Sequence, residues 1–402
     1  MNEQLSQYII TFKPKDKRSD KKSDKAEIFK SVTNSNVKIV DTSSIIRMPH
    51  IEDTADIALD INEYEVPIIS AALREEQVGI LRQDPNVLAV EKDGKCYALY
   101  TIQDQPVPAS ETVPWGINVI KSPLAWDITK GKGIKVAVCD TGIDYTHPDL
   151  SANYKGGISF VPTESDPKDH NRHGTHCAGT IAASINGSGV IGVAPSANLY
   201  AVKTLSSNGS GNWSWLIAGI KWCIDNGMHV VNMSLGGESA PTALRSMCDL
   251  AWTKGLVLVA AAGNTGPAAN TVEYPAQYDS VIAVSAISSA NTIASFSSRG
   301  PKVELCAPGV DILSTIPGGG YGTLSGTSMA CPHVTGAVAL ALSSHRWPST
   351  GLAKNIAIRR LLAITSDNMG IPGRDTLYGF GRVDAEEAAF SFSVPPAVQG
   401  IP

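Results

Sequence analysis

The chain has 402 residues, 43% hydrophobic and 18% charged, which is enough apolar material for a sizeable core and long enough for two or three domains. Its formal net charge of −5 gives no basis for a nucleic-acid surface, and no apolar run reaches the length that crosses a bilayer. The seven cysteines (Cys96, Cys139, Cys177, Cys223, Cys248, Cys306, Cys331) are odd in number and lie among apolar or small residues, so buried free thiols are expected.

In chain order, residues 1–100 form the first predicted piece. Residues 7–12 read as a strand, 13–30 as a charge-rich solvated stretch, and 87–91 as a second strand. Residues 70–83 carry helical apolar spacing at Ala71, Val78 and Leu81 and stop before Asp84-Pro85. The first twelve residues contain no apolar core of a secretory signal. Residues 101–110 read as a polar, proline-bearing linker. The long piece 111–389 follows, with strand candidates at 134–139, 199–203, 230–233, 256–261 and 281–286. Helix-length segments such as 214–226 separate them, which predicts an α/β fold with a mainly parallel sheet covered on both faces. A tail, 390–402, carries three prolines and little periodicity.

Three segments carry chemistry. Residues 134–142 are an apolar run ending in Asp140-Thr141-Gly142, which puts an aspartate at the carboxyl end of a buried strand, where α/β sheets place ligand sites. His173-Gly174-Thr175-His176-Cys177 opens a run of small residues that reads as a tightly packed helix; zinc is set aside because no second ligand pair has suitable spacing. Gly326-Thr327-Ser328-Met329-Ala330 puts a serine at the start of a buried helix, where free N–H groups and the helix dipole favour negative charge.

Together, and in this order, these segments resemble the three signatures of the subtilisin family of serine proteases, the subtilases, over roughly residues 113–389. The resemblance implies a self-processing serine endopeptidase. In it Ser328 is the nucleophile, His173 the general base and acid, Asp140 the residue that orients the imidazole, and Asn264 an oxyanion donor. Residues 1–100 are similar to the family's propeptides, small ferredoxin-like α/β domains that template folding and inhibit the enzyme, with maturation expected near Tyr100.

The resemblance further implies that Gly211 and Ser234-Leu235-Gly236 flank an extended substrate, with Trp213 and Leu235 lining an apolar pocket, and Ala261 and Gly263 beside the catalytic groups. Glu273 stands where many members carry glycine at the floor of the first-residue pocket. It has two readings: a partner for substrate Lys or Arg, or a side chain that swings to solvent or bonds a neighbouring backbone. Calcium is the implied cofactor, through Asp149, Asn186, Glu111 and the carbonyls of Ser184, Ser188 and Val190. Polypeptide substrates and the chain's own propeptide are the expected partners, and a monomer is expected. An extracellular location follows from the resemblance, while the missing signal core leaves a cytoplasmic one open. Asp-Thr-Gly also marks aspartic proteases, but those need two aspartates sharing a proton, and this tripeptide occurs once. A non-cutting peptide binder is disfavoured because all three triad residues and Asn264 are present.

Overall fold

The apolar runs that end in Asp140, Lys203, Met233 and Ala261 become central strands of a parallel sheet, each buried along almost its whole length. The computed structural model describes residues 5–14, 25–33, 37–41, 57–62, 65–105, 108, 110–344, 353–391, 397–399 and 401. The N-terminal strands are β1 (Ser6–Phe12), β2 (Lys38–Asp41), β3 (Ile57–Asn62), β4 (Ile68–Leu73) and β5 (Val87–Lys92). They pair in the order β2-β3-β4-β1-β5. The helices Lys25–Val32 and Glu75–Gln83 contribute Phe29, Val78 and Leu81 to an apolar cluster with Tyr8, Ile10, Ile69 and Val90. Without the edge strand β2, this is the small α/β arrangement expected for residues 1–100.

Two local expectations fail here. Residues 68–73 are a strand, with the helix starting only at Glu75, because a central strand buried on both faces shows no alternation. Within the charge-rich stretch, Lys25–Val32 is a helix anchored by buried Phe29, and Lys25 is itself buried against Asp60.

Next come β6 (Lys95–Ala98), β7 (Thr101–Gln105), β8 (Lys135–Asp140), β9 (Tyr154–Ser159), β10 (Asn198–Lys203), β11 (Ser210–Asn212), β12 (Val230–Met233), β13 (Leu235–Gly236), β14 (Val257–Ala261), β15 (Ile282–Ile287), β16 (Val303–Pro308), β17 (Ile312–Ile316) and β18 (Gly320–Ser325). Seven of them form the parallel sheet β16-β15-β14-β12-β8-β10-β9. Its two faces are read off by the two-residue period of a strand. Val136 and Val138 pack with the helices His173–Ala182 and Thr327–Ser344, whereas Ala137 and Cys139 pack with Trp213–Asp225 and Thr242–Thr253. All seven cysteines are buried and unpaired. Among the described residues no helix is long and apolar enough to cross a membrane.

Two short sheets tie the N-terminal piece to this body. In one, β6 lies between β11 and β13, antiparallel to both. In the other, β7 pairs antiparallel with β18, which pairs with β17 on its far side. The polar segment expected to be a linker is therefore a strand over Thr101–Gln105, ordered by main-chain pairing and not by its composition.

Candidate active site

Asp140 is the last residue of β8 and His173 the first of its helix, so the carboxyl end of the sheet brings them together. His173 Nδ1 lies 2.7 Å from Asp140 Oδ1, and both side chains are fully buried. The Thr141 N–H donates to the same oxygen at 2.7 Å, fixing the carboxylate. The other imidazole nitrogen, Nε2, is buried with no hydrogen-bond partner among the described residues, the arrangement of a base held in reserve. Ser328 is the second residue of the Thr327–Ser344 helix, and its hydroxyl donates to the Ser234 carbonyl at 2.9 Å.

Sequence reasoning missed Asp169. This buried carboxylate accepts from Thr141 Oγ1 at 2.9 Å, from the amides of Asn171, Arg172 and Thr175 at 2.8, 3.1 and 2.9 Å, and from Thr175 Oγ1 at 2.6 Å. It thereby ties the turn after Asp140 to the first turn of the His173 helix. Arg172, immediately before His173, has φ of 117°, a conformation a non-glycine residue holds only when its surroundings impose it. An aspartate in a polar loop gives no signal of such a role.

Asn264 Oδ1 accepts from Thr327 N at 3.0 Å and Thr327 Oγ1 at 2.9 Å, which leaves its NH2 group as the outward donor. A Cβ on Gly326 would fall 2.1 Å from the Leu99 carbonyl oxygen and 3.2 Å from Asn264 Nδ2. Glycine is required there because the backbone of residues 95–100 passes so close.

That backbone occupies the cleft. Cys96 is opposite Gly211, and Tyr97 and Ala98 are opposite Gly236 and Leu235. Cys96 is wholly buried in an apolar cluster with Trp213 and Leu235, while Tyr97, one residue on, is exposed. Leu99 Cδ1 and Glu273 Oε2 lie 3.0 and 2.4 Å from where a Gly236 Cβ would stand. Glu273 also abuts Gly263, which has φ of 111° at the end of β14 next to Ala261. Glu273 is thus buried beside Gly236, on the side where the Leu99 side chain also lies, and not turned to solvent. Burial raises its carboxyl above the ordinary range and Glu238 adds to this, while the Asn264 amide and the Thr265 hydroxyl pull it back down. The Tyr100 ring lies tilted against His173, with centroids 4.7 Å apart and planes at 39°, and its hydroxyl donates to Asn171 Oδ1 at 2.9 Å.

Two carboxylates hold the N-terminal piece at helix ends, where free amides and the dipole favour anions. Glu91 accepts from Thr242 N at 3.0 Å. Asp93 accepts from Ser214 N at 3.0 Å and from the Ser214 hydroxyl, and burial pushes it up to about 6. Their partners lie more than a hundred residues away, so neither contact is legible in the sequence.

Elsewhere, Asp149 Oδ1 accepts from Asn186 Nδ2 at 2.9 Å, and Oδ2 accepts from Val190 N at 2.9 Å and Tyr321 OH at 3.0 Å. Glu111 accepts from the amides of Asn186 and Gly187, both at 2.7 Å. Ser184 donates its amide to the Asp149 carbonyl, and Ser188 bonds Asn186 Oδ1. These hydrogen bonds link Asp149, Glu111, Asn186 and Ser188, and the Asp149, Glu111 and Asn186 side-chain oxygens are of the kind a hard cation prefers. His176 and His333 are lowered by burial to about 3 and about 4, and so stay neutral. The Cys177 and Cys331 thiols are raised by burial, Cys331 to about 12, and so are not nucleophiles.

The sequence model of the Subtilase family matches residues 131–381, and that of peptidase inhibitor I9 matches residues 7–98. Subtilisin E of Bacillus subtilis (strain 168) is 48% identical over 325 residues, 80% of each chain. Subtilisin of Bacillus pumilus is 51% identical over 285 residues, 70% of this chain and all of that one. An alkaline protease of Shouchella clausii is 44% identical over 339 residues, 84% of this chain and 83% of its own.

Proposed function

We propose, because the chain belongs to the subtilase family and is a serine endopeptidase with an I9 propeptide, that Ser328, His173 and Asp140 carry its peptide-bond hydrolysis. The Ser328 hydroxyl rotates from the Ser234 carbonyl toward His173 Nε2 and attacks the substrate carbonyl carbon, its proton passing to Nε2. Asp140 holds Nδ1 and stabilises the imidazolium. Asn264 Nδ2 and the Ser328 N–H receive the oxyanion. His173 then returns the proton to the leaving amine as the C–N bond breaks, and water repeats the sequence on the acyl-enzyme.

The single observation that carries this reading is the path of the chain's own residues 95–100. The Leu99 carbonyl stands beside Asn264 and the Tyr100 ring lies tilted against His173, as a substrate poised for cutting would. On this reading the maturation cut falls between Leu99 and Tyr100. Gly211, Ser234, Leu235 and Gly236 grip the backbone, Trp213 and Leu235 receive the fourth residue before the cut, and Glu273 faces the first. Members of this family generally bind calcium. Here Asp149, Asn186 and Glu111, with the carbonyls of Ser184, Ser188 and Val190, would hold it and rigidify the loop behind β18. Residues 1–99 then act as an intramolecular inhibitor of a monomer.

The test is to purify the full chain and its Ser328→Ala variant and read their N-termini by mass spectrometry. Wild type is expected to begin at Tyr100 after incubation, and the variant to stay intact and unlabelled by a fluorophosphonate probe. Equal processing of the two chains, with no added protease, would overturn the assignment.

A further inference from the structure

We propose that the outer edge of β18 is a binding strand for the second to sixth residues after the cut, so that the enzyme takes extended polypeptide segments on its leaving-group side. This rests on the cut between Leu99 and Tyr100 proposed above. The register is continuous: Thr101 is opposite Ser325, Ile102 opposite Leu324, Gln103 opposite Thr323, Asp104 opposite Gly322 and Gln105 opposite Tyr321. Strand β18 pairs with β17 on its other side, so β7 is the edge of that sheet and its removal bares main-chain donors and acceptors along β18.

The strand also runs directly into Gly326-Thr327-Ser328. A peptide added to this edge is therefore held in fixed register with the nucleophile, which a separate docking patch would not achieve. The paired residues after the cut outnumber those of β6 before it. Because the grip is main chain to main chain, it selects extended backbone and not side-chain type.

Once the cut is made, β7 is no longer joined to β6, and among the described contacts this pairing is what holds it. The next contacts downstream that hold the chain are Glu111 on the amides of Asn186 and Gly187, and Thr112 on the Gly189 carbonyl. On this proposal β7 leaves the edge, and an incoming substrate takes it.

The experiment uses the self-processed enzyme and quenched peptides that share the residues of positions 95–100 and extend beyond the tyrosine by none to five residues of the sequence Thr-Ile-Gln-Asp-Gln. kcat/KM is expected to climb as far as the fifth added residue, by about tenfold or more in total from the added main-chain hydrogen bonds. Backbone N-methylation along the longest peptide is expected to weaken cleavage at alternate positions, since alternate amides of an antiparallel strand face its partner. A kcat/KM that levels off after the first added residue, or an N-methyl scan without alternation, overturns the proposal. Retained cleavage in Ser328→Ala would instead remove the catalytic reading, so the two failures are told apart.

Discussion

Glu273→Gln should erase a preference for basic residues before the cut while sparing cleavage after leucine. The carboxylate is buried beside Gly236, as the Leu99 side chain is, so a lysine or arginine in place of Leu99 would bring its cation toward a carboxylate largely shielded from water. A hydrogen bond between such charged groups contributes about 1.5–3 kcal/mol, and each 1.4 kcal/mol or so is tenfold in rate. The ratio of kcat/KM for Lys over Leu peptides should therefore fall about 10- to 150-fold in the variant. The pH dependence has a definite sign. Burial raises the Glu273 carboxyl, so at low pH it is neutral and accepts leucine, and the Lys-to-Leu ratio grows as pH rises through the raised value. Any pH effect common to both peptides cancels in the ratio. Matched peptides differing only in that residue, assayed from acid to alkaline pH on wild type and Glu273→Gln, provide the measurement. A ratio that is flat with pH and unchanged by the substitution refutes the reasoning.

Asp169→Asn should lower kcat with little change in KM and shift the acid limb of the kcat profile, because it leaves some of five donors around His173 unpaired; an unaltered profile would reduce Asp169 to packing. The thermal midpoint should drop on chelation in wild type but scarcely in Asp149→Ala, as read by calorimetry. Docking raises Asp93 from 3.8 to about 6, so the docked piece takes up a proton. That contribution is complete below 3.8 and is lost as pH rises through about 6. The inhibition constant of the released propeptide should accordingly weaken about tenfold from roughly pH 5 to roughly pH 7, and Asp93→Asn should flatten the trend.

The groups proposed to be catalytic were legible because each lies in a motif at the boundary of an apolar element. Asp140 closes a strand, and Ser328 and His173 open helices, so local sequence and global position agree. What escaped depends on partners distant in the chain. Thr101–Gln105 is polar and reads as a linker, yet it is a strand because β18 offers it an edge. The helix spacing read into residues 70–83 extended true periodicity at Val78 and Leu81 back into a fully buried strand. The charges of Lys25, Glu27 and Lys30 masked a helix whose one deeply buried apolar residue is Phe29. Glu91, Asp93 and Asp169 are ordinary acids until the fold supplies amides for them to accept from.

The wholly buried side chain of Cys96 has a practical consequence. Of the seven thiols it alone belongs to the segment before the proposed cut; the other six lie within the body that remains. While the tail is seated, Cys96 is sealed against Trp213 and Leu235, and burial keeps its thiol protonated and inert. When the tail leaves, this sulfur alone among the seven passes into water and regains ordinary reactivity. The molecule thus carries a built-in chemical clock for its own activation: the rate at which an alkylating reagent tags Cys96 reads out release of the inhibitor directly, with no substrate present.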